Sequence, residues 1–165
     1  MNRLLIASAL AASLIAPVAT GQDANTGTRL AECRLALRDA MQAAMKYSVT
    51  KRETNAETGD MTVVVNAPGL IVLGHPSDGM NITRAADLQS VAFVTRIALD
   101  YAQVRAGLPK AYGKNKCDAG GAAFDFCSMM LSDDISMGAA REVSITAEAA
   151  EGSGTMLTCS YLKKD

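Results

Sequence analysis

Four cysteines, Cys33, Cys117, Cys127 and Cys159, constrain this chain more than any other feature. Their redox state decides whether they cross-link the fold or do chemistry, and the N-terminus speaks to that state. Met1-Asn2-Arg3 carries one positive charge, Leu4 to Val18 runs almost wholly apolar, and the small residues Ala19-Thr20-Gly21 follow. This is the layout of a bacterial-type secretory signal. Cleavage is expected after Gly21, where Ala19 and Gly21 occupy the small positions that a signal peptidase reads. The apolar run is shorter than the roughly 20 residues a membrane-spanning helix needs, and no cysteine stands at the junction to take a lipid. The expected organisation is a signal peptide at 1–21, a flexible polar leader at 22–28 and one domain at 29–165. The expected location is the periplasm or the extracellular space, with no stable membrane span after signal removal.

An even number of cysteines in an exported chain reads as two disulfides. The favoured pairing is Cys117–Cys127, closing a short loop that Gly120-Gly121 lets turn back, with Cys33–Cys159 tying the first helix to the last strand. The sequence also permits the two crossed pairings. A thiol-exchange site needs two cysteines two residues apart at a helix start. Cys117 and Cys127 are farther apart and flanked by Asp118 and Asp125, whose carboxylates disfavour a thiolate. Four-thiolate zinc is equally poor, because no two cysteines have knuckle spacing.

Charge excludes one class of partner. The chain has 16 basic and 17 acidic residues, and losing Arg3 with the signal leaves it mildly acidic. Nothing pulls it toward nucleic acid, and the cluster Lys110, Lys114 and Lys116 is too sparse to track a phosphate backbone. Aromatic residues make up 4%, with no tryptophan, which argues against a stacking platform for sugars or bases. Leu, Val, Ile, Ala and Met must therefore fill the core.

Periodicity gives the elements. Leu30, Cys33, Leu37, Met41, Ala44 and Met45 recur at helical steps from about Thr28, with Arg34, Arg38, Asp39, Gln42 and Lys46 on the wet side. Residues 50–60 read as a polar loop. Met61–Val65 and Leu70–Leu73 are strand material around Ala67-Pro68-Gly69, either a hairpin or a strand and an extended crossing. His75–Gly79 has turn chemistry. A second helix is expected from about Arg84 to Ala106, capped by Thr83 and apolar on more than one side, ending at Gly107 and Pro109. Val143–Ala149 and Leu157–Tyr161 alternate about Glu151–Gly154 as a hairpin, with Cys159 on its apolar side. The sum is an α+β fold: an antiparallel sheet of short strands with two main helices on one side, stapled by two disulfides.

Candidate chemistry is thin. His75 is the only histidine, and it precedes Pro76; Ser77 and Asp78 are too local to complete a triad with it. Asp118, Asp125, Asp133 and Asp134 lack any mark of a desolvated carboxylate pair. Met129-Met130, with Met137 and Met156, has no spacing that defines a copper site. Neither a calcium loop, a phosphate loop nor a nucleophile elbow occurs. No catalytic residue, cofactor or metal is therefore assigned. The expected function is a non-enzymatic exported binding or assembly protein of the bacterial cell envelope, working through a protein partner or as a homo-oligomer. Its interface would lie on the apolar helix at Leu88, Val91, Val94, Ile97, Tyr101 and Leu108. Two alternatives stand beside it. One is a small exported hydrolase using a carboxylate and His75. The other is a carrier or sensor that holds a small apolar ligand in a cavity between that helix and the sheet.

Overall fold

The computed structural model describes residues 21–119, 125–131 and 140–163. The expected signal at 1–21 lies outside them except for Gly21, as do Gly120, Gly121, Phe124, Asp133, Asp134 and Met137. Three helices and nine strands follow in the order α1 (Gly21–Ala31), α2 (Leu37–Ala44), β1 (Ser48–Thr54), β2 (Met61–Asn66), β3 (Ile71–Val72), β4 (His75–Arg84), β5 (Ser90–Ile97), α3 (Tyr101–Ala111), β6 (Asp118–Ala119), β7 (Phe126–Met130), β8 (Ala140–Ala149) and β9 (Thr155–Lys163). All pairings are antiparallel, and the strand order is β1-β2-β4-β5-β9-β8-β7-β6, with β3 paired to β4 beside this path. The fold is α+β, with helices packed on an antiparallel sheet.

Alternation along the central strands separates two faces. Val91, Phe93, Thr95 and Ile97 of β5 are buried, as are Leu157, Cys159 and Tyr161 of β9 and Val143, Ile145 and Ala147 of β8. Register places Phe93, Cys159, Ile145 and Met129 in one row across four strands. Phe93 and Tyr161 meet edge to face with centroids 5.9 Å apart. The helices cover this face through Leu30, Leu37, Ala40, Val104 and Leu108. The opposite face is half-exposed, with short side chains along its central rows. Thr62 and Thr83 share a hydroxyl contact at 3.1 Å, Ser128 and Thr146 another at 2.9 Å, and Ser144 and Ser160 lie opposite each other.

The largest departure from expectation is at 84–106. Ser90–Ile97 is a central strand and the helix begins only at Tyr101, with Asp100 capping it by accepting from Ala102 N at 2.8 Å. Apolar residues on every side fit a strand flanked by β4 and β9 as well as a buried helix, and Val91, Val94, Thr95 and Ile97 are β-branched. Thr83 pairs with Thr62 and Ala92 within the sheet and caps nothing.

Smaller departures have local causes. The first helix starts at Gly21 and so includes the expected leader, but it breaks between Ala31 and Leu37. It seats closely: a Cβ on Gly27 would run into the Tyr47 hydroxyl and lie 3.2 Å from Leu70 Cδ1. Residues 48–54, read mostly as loop, form an edge strand exposed along its whole length. With no covered face it carries no alternation, and Lys51, Arg52 and Glu53 guard its open edge. Met61–Asn66 and Ile71–Val72 do not pair with each other; each pairs with β4, whose first residues are the expected turn at His75–Gly79.

Candidate functional site

The helix break at 32–36 is where the structure becomes chemically dense. Cys33 has φ 54°, in the left-handed region, and its disulfide to Cys159 pins the corner to the central strand β9. The second disulfide joins Cys117 to Cys127, so both bridges follow the favoured pairing. Tyr161 Oη donates to Leu35 O at 2.8 Å, and Tyr112 Oη donates to Glu32 O at 2.6 Å. Burial, above all, pushes both phenols well above their ordinary value; at Tyr112 the Arg34 charge works in the opposite direction.

Glu32 is only 8% exposed. A buried carboxylate needs partners for both oxygens, and Glu32 has them. Oε1 accepts from Leu73 N at 2.8 Å, and Oε2 accepts from Arg34 Nε at 3.0 Å. Leu73 and Gly74 have φ 51° and 81° and join β3 to β4 as a two-residue turn with both residues left-handed. A leucine is costly there, and the bond from Glu32 holds its amide in place. The Arg34 guanidinium lies 4.6 Å from the Tyr112 ring centroid, and Nη2 donates to Ala111 O, the last carbonyl of α3, at 3.0 Å. One acid–base pair thus joins the corner, the β3–β4 turn and the end of α3.

These three elements enclose a cleft of about 470 Å³, open to solvent. Leu73, Leu99, Val104, Leu108 and Ala111 supply its apolar walls, and Glu32, Arg34, His75 and Gln103 its polar groups. Gly107 also lines it, and a Cβ built there would meet no atom within 4 Å. Glycine inside a helix is about 1 kcal/mol worse than alanine. Here its missing side chain leaves the cleft wall open.

The structure brings His75 into this cleft, half-buried, and among the described residues the carboxylates expected to join it stand elsewhere. Asp78 faces Arg96 at 3.8 Å, Asp118 sits opposite Ser128 on β6, and Asp133 lies outside the described residues. The carboxylate that does share the cleft, Glu32, is engaged on both oxygens. The six residues expected to form one interface belong to different elements. Val91 and Ile97 of β5 and Leu108 of α3 are buried, and Val94 is half-buried on the open sheet face. Tyr101 reaches Asp125 at 3.2 Å, while Leu88 is 46% exposed in the β4–β5 turn with φ 63°. Met129 is buried while Met130 is exposed on the opposite side of β7, so the pair does not converge. Among the described residues, no group of three His, Cys, Asp or Glu could hold a metal ion, and no helix is long and apolar enough to cross a membrane.

Sequence reasoning missed Glu32, Arg34, Gln103, Gly107 and Tyr112. Only Gly107 left a signal, and it reads as a helix end with Pro109, whereas α3 runs through both to Ala111. Glu32, Arg34 and Tyr112 act through contacts such as Glu32 to Leu73 and Arg34 to Ala111, across 41 and 77 residues, while Gln103 lines the cleft. No protein-family model, curated protein or solved structure matches the chain, so the site is read from its own chemistry.

Proposed function

We propose that the protein is a non-catalytic binding protein of the periplasm or extracellular space, and that it holds a small ligand in the cleft between α3 and the β3–β4 turn. The cleft itself carries this reading. A concave site of a few hundred Å³ with mainly apolar walls and a few polar groups has the usual composition of a ligand pocket. The two disulfides support an oxidising compartment. An apolar solvatochromic dye tests the reading, because it fluoresces on entering such a cleft. The expected result is saturable binding to the wild-type protein and none to Gly107→Leu, whose side chain fills the cleft, with folding checked by thermal melting. Equal binding by both proteins, or none by either, would refute it.

The open sheet face supports a second reading, docking of a protein partner. Its central rows carry Thr, Ser, Asn, Ala and Val without a charge, and no described element covers them. Light scattering on the protein tests this: a defined oligomer that Thr158→Arg dissolves would favour it, and a monomer would count against self-association.

A further inference from the structure

The polar groups of the cleft differ in what they still offer a ligand. Glu32 is an acceptor, and its two oxygens are taken by Leu73 N and Arg34 Nε at 2.8 and 3.0 Å. Arg34 gives Nε to Glu32 and Nη2 to Ala111 O, and its Nη1 has no partner among the described residues. The same holds for the His75 imidazole and the Gln103 amide. Arginine only donates, while histidine and glutamine each present a donor. The guanidinium adds only donors, so the capacity left open in the cleft is weighted toward donation, and among the described residues its one carboxylate, Glu32, is paired with that arginine. Around these groups the walls are aliphatic: Leu73, Leu99, Val104 and Leu108.

Resting on the reading that this cleft is the binding site, we propose that its ligand class is small apolar monocarboxylates. The carboxylate end is received by Arg34 Nη1, His75 and Gln103, and the hydrocarbon body lies against α3. Arg34 suits this role because its guanidinium is fixed from three directions, by Glu32, by Ala111 O and by the Tyr112 ring. A donor held before binding loses little freedom when the ligand arrives. A cationic ligand end would meet the Arg34 charge, with the Glu32 carboxylate already paired to that arginine.

The test is calorimetric titration of the full mature chain with three probes sharing one skeleton: phenylpropanoate, propylbenzene and phenylpropylamine. Phenylpropanoate is expected to bind about tenfold tighter than propylbenzene, the scale of one charge-assisted hydrogen bond, and phenylpropylamine more weakly than either. His75→Ala and Gln103→Ala should each weaken phenylpropanoate several-fold and leave propylbenzene unchanged. Neither side chain has a hydrogen-bond partner among the described residues, and thermal melting checks that both variants fold. If propylbenzene and phenylpropanoate bind equally, the ligand class is wrong while the cleft stands. If the amine binds best, the donor argument is reversed. If none binds and the dye also fails, the cleft is not the site, and this proposal falls with the reading beneath it.

Discussion

The two disulfides tether different kinds of region. Cys33–Cys159 spans 126 residues and joins a helical corner to the middle of the sheet, with both sulfurs' residues fully buried. Cys117–Cys127 spans 10 residues and ties the segment after α3 to β7, near the β6 end of the sheet, with Cys117 only partly buried. Around the first lie a buried hydrogen bond from Tyr161, a partly buried one from Tyr112 and the engaged Glu32. Around the second lies an exposed cluster in which Asp125 accepts from Arg105 at 2.6 Å and from Tyr101 at 3.2 Å. The first region therefore carries both stability and the cleft floor, because Glu32 and Arg34 flank Cys33. The second holds α3 against the sheet from outside.

Removing each tether tests this contrast. In the loop-entropy picture, Cys33→Ser with Cys159→Ser costs about 5 kcal/mol of stability, and Cys117→Ser with Cys127→Ser costs about 3 kcal/mol. Denaturant unfolding measures both. Only the first pair should also abolish dye binding under conditions where the chain remains folded; if the second pair alone did so, the roles assigned to the two regions would be exchanged.

A smaller change probes the corner without touching sulfur. Tyr161→Phe removes the donor to Leu35 O and leaves a buried carbonyl without it, a loss of about 1–2 kcal/mol. The same phenol sets a pH dependence. Folding raises its pKa, mainly through burial, so the fold favours the neutral form. Its contribution is complete below the unfolded phenol value of about 10 and declines as pH rises beyond that. Stability of the wild-type protein should therefore fall above about pH 10, and Tyr161→Phe should fall less steeply. Identical slopes would show that this phenol is not the group being titrated.

The smallest effect is expected at the outer cluster. Arg105 and Asp125 are 45% and 66% exposed, so solvent screens their attraction. Asp125→Asn should change stability by no more than about 1 kcal/mol, and less still at high salt. A larger loss would mean that the outer region bears weight the comparison denies it.

Much of the frame was legible because it rests on local patterns. The apolar spacing around Cys33 and the inward side of an alternating strand at Cys159 make the burial of both legible and favour their pairing, although Cys33 sits in a helix break and the spacing alone leaves the crossed pairings open. The β8–β9 hairpin follows from strict alternation around Gly152 and Gly154. Of the strands that escaped, two did so for opposite reasons. β5 is apolar on both faces, so period two blurs into a helix-like run, whereas β1 is exposed on both faces and has no period. The cleft left little trace, since Glu32 and Arg34 resemble ordinary surface residues until tertiary contacts bring the β3–β4 turn and α3 to them. Local rules describe one element at a time, and the site is made where three elements meet.

Strand order also has a consequence for how such a chain is made. β9 is the last of the described strands, yet it lies between β5 and β8 and carries the partner of Cys33. A chain emerging N-terminus first has the β1-β2-β4-β5 ladder with one side still empty, and it meets Cys117 and Cys127 before Cys159. Until β9 arrives the β5 edge stays open, with Cys33 at risk of joining the wrong sulfur. Its maturation is therefore set by a late, long-range closure, and an isomerase that reshuffles early cross-links should speed it.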